Sequence, residues 1–438
     1  MAVANLPAGI TRDSVEQISA SKNEPDWMLQ NRLRAWQLYE TLPTPTRQDE
    51  EWRRTDISKL KLAELILAGG EDGAEVLSPL QLEGEFGGLI AHRNSSTAST
   101  SLDERVSAQG VIFTDLDTAV REHPDLVRTY FMTDAVPAGY DKFAALNGAF
   151  WSGGTFLYVP KGVEVTLPLR ALYTFTTAGA AIFTHTVVVV EQGSRVTFVE
   201  EYASQRIDKV ALNAGIVEIF VKPAAHLTFV SLQEWMGKVY DLSTQRAVLD
   251  RDSRIDWLVI GLGDGITKAN IEASLAGAGA SAQMLGILWG YANQHTNYHT
   301  VQDHVAPHTT SDLLYKSALT DHSRSIFSGT IRVLKGANAT DAYQANRNIL
   351  LSPEASAFPS PNLEIEANEV RCTHGATIGN VDPDQLFYLN ARGIPKDQAT
   401  RMIVEGFFED VLQREPAGVI RDNLRELIFR KMDASQAG

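Results

Sequence analysis

Hydrophobic and polar positions divide the chain into three textures. Near the N-terminus Trp27, Leu29, Leu33, Trp36, Leu38 and Tyr39 recur at three- and four-residue spacing, the stripe of an amphipathic helix. Pro25 falls at a first turn with Asp26 beside it, and Leu42-Pro43-Thr44-Pro45 stops the pattern. The spacing predicts a helix over Pro25–Thr41, preceded by a shorter one capped by Asp13 or Ser14. From about Tyr140 β-branched and aromatic residues dominate, glycine punctuates, and Thr186–Val190 and Arg195–Tyr202 read as strands. Beyond Arg392 the helical period returns. Ala399, Met402, Ile403, Phe407 and Val411 mark a helix over Pro395–Leu412. Pro416 and Gly418 separate it from an amphipathic Val419–Met432. The expected organisation is a helical, then mixed region at 1–139 with a mobile Ser/Thr-rich loop at Asn94–Ser107, a β core at 140–391, and a helical region at 392–438.

The β region carries a loose repeat. Aligning Val196, Leu227, Ile255, Ala282, Ser325 and Ala357 gives steps of 31, 28, 27, 43 and 32 residues. Each unit is a small or charged turn followed by alternating apolar residues. Such a period suggests a solenoid, in which stacked coils bury a common core that no single coil could. The 43-residue step reads as a coil with an inserted loop. A β-sandwich with irregular strand spacing fits the same pattern, and the repeat alone does not separate the two.

Composition narrows the function classes. The chain has 438 residues, 44% apolar and 21% charged, with a net charge of −15. An acidic surface argues against nucleic-acid binding. The longest apolar run, Ala178–Val190, is too short and too polar to span a membrane. MAVANLPAG has no basic segment followed by an apolar run, so no secretory signal is expected. The one cysteine, Cys372, excludes an internal disulfide and every CxxC motif, and fits a reducing location, the cytoplasm or an organelle stroma.

Few residues form a chemical constellation. No GxxxxGK[ST] loop occurs, and Gly261-Leu262-Gly263-Asp264-Gly265 lacks a βαβ setting and reads as a turn between coils. His295, His299, His304 and His308 would share a face only on a helix, which Pro307 and the Thr/Asn-rich context oppose. They are expected as exposed or turn histidines. Cys372 and His374 form the tightest pair: on a strand, positions i and i+2 project together, and both side chains are metal ligands. Two ligands fall short of the roughly four that an iron–sulfur cluster takes. A cluster here would share ligands with another chain. A packed thiol with a nearby hydrogen-bonded imidazole is the reading that the residues alone favour.

The segment His374-Gly375-Ala376-Thr377, Asp384-Gln385-Leu386-Phe387-Tyr388-Leu389 and Arg392-Gly393-Ile394 resembles the most characteristic stretch of the SufB/SufD family. Phe143–Gly162 and His299–Asn362 are similar to that family too. So are Trp27, Leu29, Arg32, Ala35 and Trp36 of the first helix, followed by EEWRRTD at 50–56. The resemblance covers nearly the whole chain. It implies a right-handed parallel β-helix flanked by N- and C-terminal helices, and a non-catalytic scaffold role in iron–sulfur cluster assembly. The implied complex holds one SufB, two copies of the ATPase SufC docked on the C-terminal helices (roughly Pro395–Met432), and this chain, paired edge to edge with SufB. A homodimer in the absence of SufB is a further implied state. Where SufB carries a cysteine, this chain has Ala355; where SufB has glutamate, it has Gly375. That places the chain on the other branch of the family. By the resemblance His374 helps hold a transient cluster shared with SufB, and Cys372 is carried over less firmly. Without the resemblance, a β-helical polysaccharide-acting enzyme or a purely structural interaction protein would fit the same texture.

Overall fold

In the computed structural model, which describes residues 9–69, 75–80, 86–414 and 418–436, one turn repeats along the β region. Gly193, Ala224, Asp252, Gly279, His308 and Ala339 all take positive φ. Each N–H donates to the carbonyl just before the next member of the series: Gly193 to Pro223, Ala224 to Arg251, Asp252 to Ala278, Gly279 to Pro307, His308 to Asn338. This left-handed conformation costs a non-glycine residue about 1–2 kcal/mol, so the turn persists because neighbouring turns hydrogen-bond to one another.

Each of these turns hands the chain from a strand of one sheet to a strand of a second. The first includes Gly154–Val159, His185–Val190, Ile216–Val221, Gly237–Leu249, Ile266–Leu275, His295–His304, Arg324–Val333 and Ser356–Ile365. The second includes Leu169–Phe175, Arg195–Ser204, His226–Glu234, Arg254–Gly261, Ser281–Gly290, Thr310–Leu319, Thr340–Leu350 and Val370–Asn380. Within each series the pairing is parallel. Each coil contributes a strand to either sheet, and its backbone groups pair with the coils on both sides. The expected parallel β-helix with helical flanks is therefore the fold, and the sandwich is excluded.

The repeat itself needs one correction. Val196, Leu227, Ile255 and Ala282 do stand in register in the second sheet, but the column continues through Ser311, Ala342 and Cys372. Ser325 and Ala357 pair with each other in the first sheet. The 43-residue step is a change of sheet, not an inserted loop.

Alternate residues fill the lumen. Phe198, Phe229, Trp257, Met284 and Leu313 form one buried column, with the Phe198 and Phe229 rings stacked at 5.7 Å. Glu200 also points inward, is fully buried, and accepts from Thr186 Oγ1 at 2.5 Å. Burial pushes its carboxyl up to about 7 from an ordinary 4.5. Between these values the folded state binds more protons than the unfolded one, so this group's contribution to stability falls as pH rises through that window. Glu200→Gln is expected to stabilise the chain at pH 8 more than at pH 4, by on the order of 3 kcal/mol. Denaturant titrations at both pH values check this, and equal effects would contradict it.

The N-terminal helices are Arg12–Ser21 and Asp26–Thr41. The first is capped by Thr11, which accepts from the Ser14 N–H at 3.2 Å, rather than by Asp13 or Ser14. The segment Asn94–Ser107 is not a loop. Ser96–Leu102 is a strand antiparallel to Gly88–Arg93, which joins the second sheet beside Leu169–Phe175, and Asp103 caps a turn of helix at Glu104–Ser107. Its small polar residues hid the strand because most of them face solvent. After Asn380 the chain forms helices Pro383–Ala391, Lys396–Leu412 and Gly418–Gln436. The last two cover the outer face of the second sheet, where Val404, Phe408, Leu424 and Ile428 share a core with Leu258, Ile260, Ile287 and Leu314. Pro416 lies outside the described residues. Among them no helix is long and apolar enough to cross a membrane.

Candidate functional site at the open end of the solenoid

Among the described residues the last coil has no successor. Val370–Asn380 pairs with Thr340–Leu350, and Ser356–Ile365 with Arg324–Val333; each is the end strand of its sheet. Both therefore present free backbone edges. The lumen columns run out into solvent here. The aromatic column continues from Leu313 to buried Gln344 and then to exposed His374. Its neighbours end in Ala376 and Ile378. Opposite them, the inward column of Ala273, Gln302 and Ile331 ends in Leu363. Leu363, Ile365 and Ile378 are 37%, 42% and 49% exposed. Solenoids normally close such an end with a polar capping unit; this one leaves apolar lumen residues uncovered.

Cys372 and His374 both belong to these inward columns but differ in setting. Cys372 is half-buried against the cluster of Ile331, Val333, Ala337 and Ala342. Burial, and then the nearby Asp341 carboxylate, push its thiol up. It behaves as a small packed hydrophobe rather than an activated thiolate. His374 is exposed, and among the described residues its ring nitrogens make no hydrogen bond. Beneath it Gln344 donates to the Gly329 carbonyl at 3.3 Å. The same face thus carries one packed thiol and one free imidazole. No group of three or more His, Cys, Asp and Glu side chains is arranged to hold a metal ion among the described residues.

The lumen turns polar as it nears this end, which the residue pattern did not announce. Gln302 Nε2 donates to Ser311 Oγ at 2.7 Å, and His304 lies 2.7 Å from Thr309 Oγ1 and 2.8 Å from Ser311 Oγ. Asn348 Nδ2 donates to Asn346 Oδ1 at 2.6 Å and to the Thr377 carbonyl at 3.1 Å. Burial lowers His304 to about 4, so it is neutral near pH 7. The histidine run is not a set of exposed or turn residues. His304 is buried in the lumen, and His295 and His299 lie on the outer face of the first sheet under the chain segment at 50–56. Only His308 sits in a turn. His295, His299 and His304 lie on one strand, where the even step of four keeps the first two on the outer face and the odd step of five turns His304 inward.

Two positions bear on the branch assignment. Ala355 is buried against Leu319 and Ala357. A Cβ at Gly375 would meet nothing within 4 Å, so packing does not demand glycine there and a larger side chain would fit.

Fold and site together define a parallel β-solenoid with helix-covered flanks whose last coil, among the described residues, is uncapped. Residues 173–407 match the SUF system FeS cluster assembly, SufBD core domain, and residues 89–171 match the SufBD protein N-terminal region. The chain is 33% identical over 428 residues to the iron–sulfur cluster assembly protein SufD of Bacillus subtilis, covering 97% of this chain and 98% of that one. It is 30% identical over 425 residues to iron–sulfur cluster assembly SufBD family proteins of Staphylococcus epidermidis and Staphylococcus aureus, covering 93% of this chain and 90% of theirs. The chain belongs to the SufBD family of the Suf iron–sulfur cluster assembly system.

Proposed function

We propose that the chain is a non-catalytic, cytoplasmic scaffold subunit of the SufD type. In this reading its open end pairs with the solenoid edge of a SufB subunit, and its C-terminal helices bind the ATPase SufC. The observation that carries it is the uncapped lumen, where exposed apolar residues and unpaired strand edges surround His374. A second solenoid of the same family offers the edges that would continue both sheets. His374 is then a ligand supplied to a cluster that is cargo, shared with SufB, and Cys372 is its packed neighbour rather than a second ligand of equal weight. Phe387, Tyr388 and Met402 are 74%, 57% and 43% exposed on the C-terminal helices, and such surface suits a docked partner.

Co-expression with SufB and SufC tests this reading. The chain is expected to co-purify with both, and deletion of residues 419–438 should weaken SufC binding by about tenfold or more, since it removes half of a helical pair. A calorimetric titration with SufC reads the change. Unaltered SufC affinity, or a chain that associates with neither partner, would overturn the proposal.

A further inference from the structure

The segment at 50–56 does more than cover the first sheet. Thr55 Oγ1 lies 3.0 Å from His295 Nε2 and accepts from Asn297 Nδ2 at 2.7 Å, and Lys268 sits 5.0 Å from the Trp52 ring centroid. This strap roofs a cavity of about 610 Å³ on the outer face of the last coils, lined by Glu50, Glu51, Arg54, His299 and Phe358 among others. That volume lies in the usual range for small-molecule sites.

Positive charge gathers beside one wall, where Arg54 lines the cavity and Arg324 adjoins it through Phe358. The Arg54 and Arg324 guanidiniums lie 5.3 and 4.5 Å from the same Phe358 ring centroid. Burial, and then the charges of Arg54 and Arg47, push Arg324 below the usual guanidinium range. Among the described residues none of Arg47, Arg54 and Arg324 has a carboxylate oxygen within 4.0 Å. Arg324 Nε and His299 Nδ1 are buried without a hydrogen-bond partner. In a chain of net charge −15, three neighbouring guanidiniums without carboxylate partners are unusual and costly. A guanidinium held near an aromatic ring by its charge keeps N–H donors that can receive phosphate or carboxylate oxygens.

We propose that the Arg54–Phe358 side of this cavity, which Arg324 adjoins, binds a small, multiply charged anion bearing phosphate or carboxylate groups, held by Arg54 and Arg324 beside Phe358 with Arg47 adding to the field. Glu50, Glu51 and Glu364 also line the cavity and repel an anion in proportion to its charge, so the ligand is placed on the Arg54 side, where a multiply charged group gains most from the guanidiniums.

Titration calorimetry on the full chain at low salt, with pyrophosphate, citrate and inorganic phosphate, tests the proposal. Pyrophosphate or citrate should bind more tightly than inorganic phosphate, and which of the two prevails identifies the anionic group. Arg54→Gln and Arg324→Gln should each weaken binding by about tenfold or more, whereas Arg251→Gln, at an exposed turn elsewhere, should not. Arg54 is exposed, so Arg54→Gln remains decisive if Arg324→Gln fails to fold. No binding of either anion up to about 10 mM, a range that reaches beyond weak millimolar affinity, would overturn it. So would affinity undiminished in Arg54→Gln.

Discussion

Replacing Arg32 with alanine is expected to lower the unfolding free energy by about 3–5 kcal/mol, the cost of stranding one member of a buried ion pair. Arg32 is fully buried. Its Nε and Nη2 donate to the two Glu24 carboxylate oxygens at 2.7 and 2.5 Å, and its Nη1 and Nη2 to the Ala149 and Trp151 carbonyls, each at 3.1 Å. The guanidinium also sits 4.4 Å from the Trp151 ring centroid. One side chain thus ties the second N-terminal helix to the entry of the β body. Burial alone would raise the Glu24 carboxyl, but the Arg32 charge and hydrogen bonds outweigh it and hold it below its usual range. The pair's contribution is therefore present above about pH 4.5 and lost as pH falls through the folded value. Arg32→Ala strips this partner and leaves Glu24 buried alone. Chemical denaturation at pH 7 measures the effect, and a loss under about 1 kcal/mol, the ordinary cost of a surface change, would contradict the assignment.

The second large effect concerns the open end. Changing Leu363 and Ile378 together to lysine is expected to raise the dissociation constant for SufB by about a hundredfold or more. Each apolar side chain is worth about 1.5–3 kcal/mol when covered, and two unpaired ammonium groups would be buried in its place. The chain's own stability should change little, because both side chains are already partly exposed. Sedimentation or titration with purified SufB reads the association. Unchanged affinity in a well-folded variant would show that pairing does not use this end.

Much of this architecture was legible from residue spacing, and the failures share a cause. The Pro25–Thr41 pattern located the second helix because a helical stripe is a local signal. The repeat column held for four coils because the turn, with its left-handed residue three positions before the inward one, kept nearly constant length. It then jumped sheets because the left-handed turn residue varies from Gly193 and Gly279 to Ala224, Asp252, His308 and Ala339, so no residue type marks where the coils of Ser311 and Ala342 begin. The strand at Ser96–Leu102 was missed because a mostly exposed strand of Ser, Thr and Ala has no apolar alternation. At the site, i and i+2 spacing put Cys372 and His374 on one face. Spacing could not show that this face belongs to the last coil, with one residue packed and the other free. That difference depends on where the stacking stops, a property of the whole chain. The Arg324–Phe358–Arg54 arrangement was equally invisible, since its members lie on two strands and a distant strap.

The central claim is that the open end presents His374 to a cluster shared with SufB. The most direct measurement is iron and acid-labile sulfide per complex after reconstitution, for wild-type and His374→Ala chains purified with SufB and SufC. The account predicts an intact complex in both cases and at least about a tenfold lower cluster content for His374→Ala, as expected when a charge-assisted or metal contact is lost, with Cys372→Ser affected less. Wild-type cluster content in a well-folded His374→Ala complex would contradict it.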